Sequence, residues 1–306
     1  MAFGYQVLGF GSGVAVAAVS IAWGGDRSVW NGGYVGGYSN IMDYVAISTT
    51  GDASDFGDST LGRTGGGCSN GSRGVYGGGF SGGYSNVIDY ITFATTGDAS
   101  DFGDLTVARD LATNCGMSDG TKGLFAGGHT GAYSDVIDYV NIASLGDASD
   151  FGNLIAAKEA ACCLANATRG LIPGGSESGS QTARIEYVTI ASLGNAADFG
   201  DLSSVRQNMG AFSDGTKGVV SGGDVNIIEY VNIASLGDAT DFGNLSFNAG
   251  LWSGSSNGTR GVWGGGNAPG IAAVDTIEYI TVASLGDSID FGDLTGRTKL
   301  ACASGD

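Results

Sequence analysis

Apolar and polar positions recur in one fixed order along most of the chain. In the copy that begins at Arg109, a stretch of small residues comes first, Leu111-Ala-Thr-Asn-Cys-Gly-Met-Ser118. An apolar run follows and ends in a glycine doublet, Gly120-Thr-Lys-Gly-Leu-Phe-Ala-Gly-Gly128. A loop leads to a β-branched run, Val136-Ile-Asp-Tyr-Val-Asn-Ile-Ala-Ser144, and a polar turn leads to Asp150-Phe-Gly-Asn-Leu154 and on to Lys158. Short β-prone runs bounded by Gly, Asp and Asn predict strands. Four short strands joined by Gly-rich turns are the content of one β-propeller blade. The small-residue strand is expected innermost, where blades converge and large side chains do not fit.

The tripeptide Asp-Phe-Gly marks each copy, with Phe56, Phe102, Phe151, Phe199, Phe242 and Phe291 spaced 43–49 residues apart. A period of that length signals a repeat architecture. Six copies predict an all-β, six-bladed propeller with four short antiparallel strands per blade. The 306 residues are long for one ordinary core, but stacked repeats lift that limit. The 58 glycines have no three-residue period, which excludes collagen. The 42% apolar content and the β-branched runs argue against disorder.

The repeat resembles the kelch family, whose copies carry a glycine doublet, then a Tyr, then a Trp followed by Leu and Arg. The doublets are Gly32-Gly33, Gly78-Gly79, Gly127-Gly128, Gly174-Gly175, Gly222-Gly223 and Gly265-Gly266. The tyrosines are Tyr44, Tyr90, Tyr139, Tyr187, Tyr230 and Tyr279. Phe stands at the Trp position in all six copies, as in Phe151 with Leu154 three residues on, which marks a divergent subfamily. The resemblance covers residues 25–306 and implies a propeller; it is weak for function, because one fold hosts many activities. Segments such as Ile137-Asp-Tyr-Val-Asn-Ile-Ala-Ser-Leu-Gly-Asp-Ala-Ser-Asp-Phe-Gly are also similar to Gly-rich, kelch-like repeats encoded by tailed bacteriophages, especially marine ones. That resemblance implies a virion structural or tail-associated protein.

The two ends of the chain fit one another. Gly296-Arg-Thr-Lys-Leu-Ala-Cys-Ala-Ser-Gly-Asp306 aligns with Gly62-Arg-Thr-Gly-Gly-Gly-Cys-Ser-Asn-Gly-Ser72, and Arg27-Ser-Val-Trp-Asn-Gly-Gly33 aligns with Arg73-Gly-Val-Tyr-Gly-Gly-Gly79. Residues 297–304 are therefore expected to supply the inner strand of blade one and close the ring, removing exposed sheet edges. Residues 1–24 are then surplus. Their apolar run Val14–Trp23 could instead take that inner place, or the segment could be a docking arm using Phe3, Tyr5, Leu8, Phe10 and Trp23. The arm is the favoured alternative, since an apolar segment left exposed is unusual on a monomer. It predicts other virion proteins as partners and an oligomeric assembly. The N-terminus has no basic n-region, and the ten-residue apolar run is too short to span a membrane, so no signal peptide is expected.

Charge narrows the function. The net charge of −18 argues against nucleic acid, which demands a basic footprint. Arg27, Arg73, Lys122, Arg169, Lys217 and Arg260 share one repeat position; Arg63, Arg109, Lys158, Arg206 and Arg297 share a second. Only Arg184 and Lys299 remain. The residue before each repeat tyrosine is acidic: Asp43, Asp89, Asp138, Glu186, Glu229 and Glu278. Six acids and six bases at fixed positions suggest ion pairs between strands or blades, in preference to a ring of carboxylates lining a channel. The five cysteines, Cys68, Cys115, Cys162, Cys163 and Cys302, lie in the small-residue segments. An odd count at equivalent positions argues for buried packing rather than disulfides and suits a reducing cytoplasm.

Catalysis finds little support. His129 is the only histidine and lacks a nucleophile constellation. Asp-Phe-Gly matches the kinase magnesium motif, but six copies without phosphate and catalytic loops remove that reading. Asp147, Asp150, Asn153 and their copies are expected to form Asx-turns; calcium is the weaker alternative, because it needs six to eight clustered oxygens. No other cofactor is called for.

The loop between doublet and tyrosine strand is the best binding candidate. Blades one to three carry Tyr34-Val-Gly-Gly-Tyr38-Ser-Asn40, Phe80-Ser-Gly-Gly-Tyr84-Ser-Asn86 and His129-Thr-Gly-Ala-Tyr133-Ser-Asp135. Exposed rings beside Asn and Asp suit carbohydrate; covering of the blade edge is the competing role. The expectation is a non-enzymatic virion protein, on tail or capsid, presenting this face to a host-surface glycan. The alternative is a cellular carbohydrate- or protein-binding module.

Overall fold

The computed structural model describes residues 25–111, 114–297 and 300–305. Every sheet in it is antiparallel, no helix occurs among the described residues, and six sheets form the blades of a closed ring. Blade two shows the pattern, with Gly66–Ser69 innermost, then Arg73–Gly77, Val87–Thr92 and Ser100–Asp104 outermost. In blade one the three outer places are filled by Arg27–Asn31, Ile41–Ala46 and Ser54–Asp58. The inner place is filled by Ala301–Gly305, which pairs from Arg27↔Gly305 to Asn31↔Ala301. The C-terminal strand thus closes the ring, beginning four residues later than expected from the sequence. Phe3, Tyr5, Leu8, Phe10 and Trp23 lie outside the described residues.

Each blade is built on one aromatic pair. Ile137 stands opposite Gly152 while Asp138 stands opposite Asp150, so a bulge leaves Phe151 unpaired and turns its ring inward. It packs edge-on against Tyr139, with ring centroids 6.1 Å apart. The other five tyrosines meet their Phe at 5.8–6.1 Å in the same way. A cation then covers most of these tyrosines: Arg27, Arg73, Arg169, Lys217 and Arg260 lie 4.3–5.5 Å from the ring centroids.

Those cations do not pair with the repeat acids. They donate to backbone carbonyls of the next blade, as Arg73 does to Ile142 at 2.8 Å, Lys122 to Ile190 at 3.0 Å and Arg260 across the closure to Ile47 at 3.1 Å. The second set of bases pairs with the acids. Arg63 meets Asp89 at 2.7 Å, Arg109 meets Asp138 at 2.6 Å and Lys158 meets Glu186 at 2.7 Å; Arg206 pairs with Glu229 and Arg297 with Asp43. The acids are buried inside the blades, so they do not line a channel. Blade six departs from the rule. Ala249 occupies the base position, and Glu278 takes hydrogen bonds from the Ser246 and Ser288 hydroxyls without a cation among the described residues. Trp252 and Trp263 stack there at 5.8 Å and fill the seam with indole.

Of the residues expected to make Asx-turns, Asp147 and its copies bind blade to blade instead. Asp147 accepts from the Asp104 backbone N–H of the preceding blade at 3.0 Å. Asp52, Asp98, Asn195, Asp238 and Asp287 repeat the contact at 2.9–3.1 Å. Gly146 N–H and Ala148 N–H add bonds to the Phe102 and Asp104 carbonyls. Each turn therefore covers the outer strand of its neighbour, which would otherwise be an open sheet edge. The Gly of Asp-Phe-Gly permits this approach: a Cβ on Gly103, at φ +148°, would stand 2.5 Å from the Gly146 carbonyl oxygen.

Two outer strands are longer than the short edge expected. Thr240–Ala249 is one, and Ser149–Glu159 is the other. The second pairs with a small hairpin, Ser176–Glu177 and Ser180–Gln181, formed by the loop of blade four. Arg184 and Lys158 both pair with Glu177 and Glu186, which pins that hairpin to blade three.

Candidate functional site

The second strands run from the repeat base at one end of the ring to the glycine doublet at the other. Past each doublet the chain reverses in a loop tied across its own base. Tyr34 bridges Tyr38, Phe80 bridges Tyr84 and His129 bridges Tyr133. Such a bridge sets two side chains opposite one another, so each loop displays a pair of rings. Centroids within the pairs are 5.2, 5.3 and 5.9 Å apart, all edge-to-face.

Neighbouring blades bring the pairs together. Tyr38 lies 5.7 Å from Phe80, and Tyr84 lies 5.7 Å from His129, so all six residues form one unbroken crescent over three blades. Phe80 is fixed by one backbone bond, from Thr64 N–H to its carbonyl, and by the Thr64 hydroxyl, which accepts from its N–H at 2.9 Å. His129 is fixed by a two-way backbone bridge with Asp110. The Tyr84 hydroxyl meets His129 Nδ1 at 2.9 Å, and the Tyr133 hydroxyl meets Ser176 Oγ of the blade-four hairpin at 3.2 Å. Tyr34, Tyr38 and Tyr84 remain 40, 39 and 38% exposed, whereas Phe80, His129 and Tyr133 are half-buried between them.

A recess of about 160 Å³ opens between Tyr34, Tyr38 and Phe80, with Thr64 and Asp110 as its polar wall. The Thr64 hydroxyl donates to Asp110 Oδ1 at 2.7 Å and so orients the carboxylate. Partial burial and the nearby Asp110 charge raise the Tyr38 phenol above its usual range. Sequence reasoning misses Thr64 and Asp110. Each directly follows a repeat base, Arg63 or Arg109, and that shared position beside a constant residue is the available signal.

The crescent stops at Ser176. The later loops carry no matching ring pairs: blade five turns at Asp224, and blade six forms a small bridge between Ala268 and Ile271. Inner strands converge on a cavity of about 80 Å³, where Asn114 Oδ1 accepts from the Gly67 and Cys302 N–H groups. All five cysteines are buried and unbridged. Burial pushes the Cys68 thiol up to about 12 and the Cys302 thiol up to about 11, so neither is a nucleophile at neutral pH. Among the described residues no three His, Cys, Asp or Glu side chains cluster as metal ligands. No family model and no curated protein matches the chain.

Proposed function

We propose that the protein is a non-catalytic binding module whose loop face takes carbohydrate along the aromatic crescent. The observation that carries this reading is the continuous run of Tyr34, Tyr38, Phe80, Tyr84, His129 and Tyr133 beside the Asp110 and Thr64 wall. Sugar faces are apolar and stack on rings, while their hydroxyls need fixed acceptors and donors. An edge-to-face ladder holds its rings before ligand arrives, which lowers the ordering cost of binding. Binding of immobilised glycans by the purified chain tests the reading. Tyr38→Ala and Tyr84→Ala each remove on the order of 1 kcal/mol and weaken binding about five- to tenfold. A folded chain that retains no glycan at millimolar concentration defeats it.

The finer proposal is that this module sits on a phage virion, held through residues 1–24 with the crescent outward. The repeat's resemblance to phage-encoded propellers supports it. So does the place where the ring begins: Arg27 starts its strand opposite Gly305 and Ala46, at the end of the ring away from the crescent. Antibody-gold labelling of purified particles tests the placement. Label on tail tips or heads agrees with it; unlabelled particles, with the epitope shown accessible, favour a cellular module.

A further inference from the structure

We infer that the crescent accepts neutral or amino-bearing sugar chains and rejects acidic ones, with Asp110 as the specificity-determining residue; this rests on the carbohydrate reading above. Positive charge is scarce, and among the described residues it is already committed elsewhere. The chain holds 13 Lys and Arg residues against 31 Asp and Glu. Arg27, Arg73, Lys122, Arg169, Lys217 and Arg260 are engaged by next-blade carbonyls at the opposite end of the strands. Arg63, Arg109, Lys158, Arg206 and Arg297 are consumed in buried pairs. Arg184, near the end of the crescent, is paired with Glu177 and Glu186. Lys299 lies outside the described residues. Among the described residues, then, no Lys or Arg is left to meet a carboxylate or sulfate on a sugar.

The polar groups of the crescent have the opposite sense. Asp110 lines the recess, and its Oδ1 already accepts the Thr64 hydroxyl. No described side chain donates to its second oxygen, and the recess it lines is shared with the Tyr34, Tyr38 and Phe80 rings. An ionised carboxylate only accepts, so it calls for a sugar hydroxyl or an ammonium group. The His129 ring, the crescent's one basic side chain, has Nδ1 engaged by Gly131 N–H at 3.2 Å and by the Tyr84 hydroxyl. A uronate carboxylate about 4 Å from Asp110 would lose at least about fivefold in affinity even at the dielectric of water, and more in a drier recess.

The test is calorimetric titration of the full chain with oligosaccharides of equal length: a neutral β-glucan, a chitosan oligomer and an oligo-uronate. The neutral and amino chains should bind, the uronate at least fivefold more weakly. Asp110→Asn should narrow that gap by improving uronate binding, a gain that a merely structural defect does not produce. Uronate bound as tightly as the neutral chain overturns the inference and leaves the carbohydrate reading intact. A gap unchanged by Asp110→Asn removes Asp110 from its role. A folded chain that binds none of the three, nor any other glycan, overturns the carbohydrate reading and the inference with it.

Discussion

Gly103→Ala probes the seam between blades two and three, and Gly146→Ala is its internal control. The two glycines share one backbone conformation, at φ +148° and +147°. A Cβ on Gly146 meets nothing within 4 Å, whereas one on Gly103 would lie 2.5 Å from the Gly146 oxygen and 2.6 Å from its carbon. Backbone strain of about 1–3 kcal/mol is thus common to both substitutions and cancels in the comparison. What remains is the contact. Relieving it moves the 146–148 turn off the outer strand, where bonds of 2.9, 2.7 and 3.0 Å join Gly146 to Phe102, Ala148 to Asp104 and Asp104 to Asp147. At about 0.5–1.5 kcal/mol each, their loss makes Gly103→Ala about 2–4 kcal/mol less stable than Gly146→Ala. For a ring of this size that is a melting-temperature difference of about 3–7 °C. Urea unfolding followed by tryptophan fluorescence measures it, with Trp252 and Trp263 as buried reporters. Equal losses for the two variants would refute the claim that steric approach between blades fixes the glycine of Asp-Phe-Gly.

Arg109→Ala strands the Asp138 carboxylate in the blade and should cost about 3–5 kcal/mol in the same unfolding assay. Glu278→Gln should cost under about 1.5 kcal/mol, because Ser246 and Ser288 hydroxyls rather than a cation hold that carboxyl; a loss as large as that of Asp138→Asn would contradict this. The buried thiols give a pH signature. Cys68 and Cys302 rise from an ordinary value of 9.0 to about 12 and about 11 in the fold, so their stabilising contribution is complete below pH 9 and is lost as pH rises above it. Stability should fall by up to about 1.4 kcal/mol per pH unit for each thiol between pH 9 and 11, less in a Cys68→Ala, Cys302→Ala variant.

The repeat made the architecture legible in one dimension. Six Asp-Phe-Gly marks, six doublets and six tyrosines count the blades, and the match between residues 296–306 and 62–72 located the strand that closes the ring. The crescent residues were legible too, because each ring pair belongs to one five-residue loop. Sequence also assigned Arg109 and Asp138 to fixed positions. It did not say which base meets which acid. That choice is made across seams, between residues far apart in sequence whose direction of approach follows from the curvature of the ring. The same geometry turned Asp147 from a local turn former into a clamp on Asp104, paired the 176–181 loop with blade three, and joined three separate ring pairs into one surface. Local periodicity fixes what each blade contains, because strand propensity and turn chemistry act within a few residues. Closure of the ring decides what each blade touches, because those contacts exist only once neighbouring blades converge.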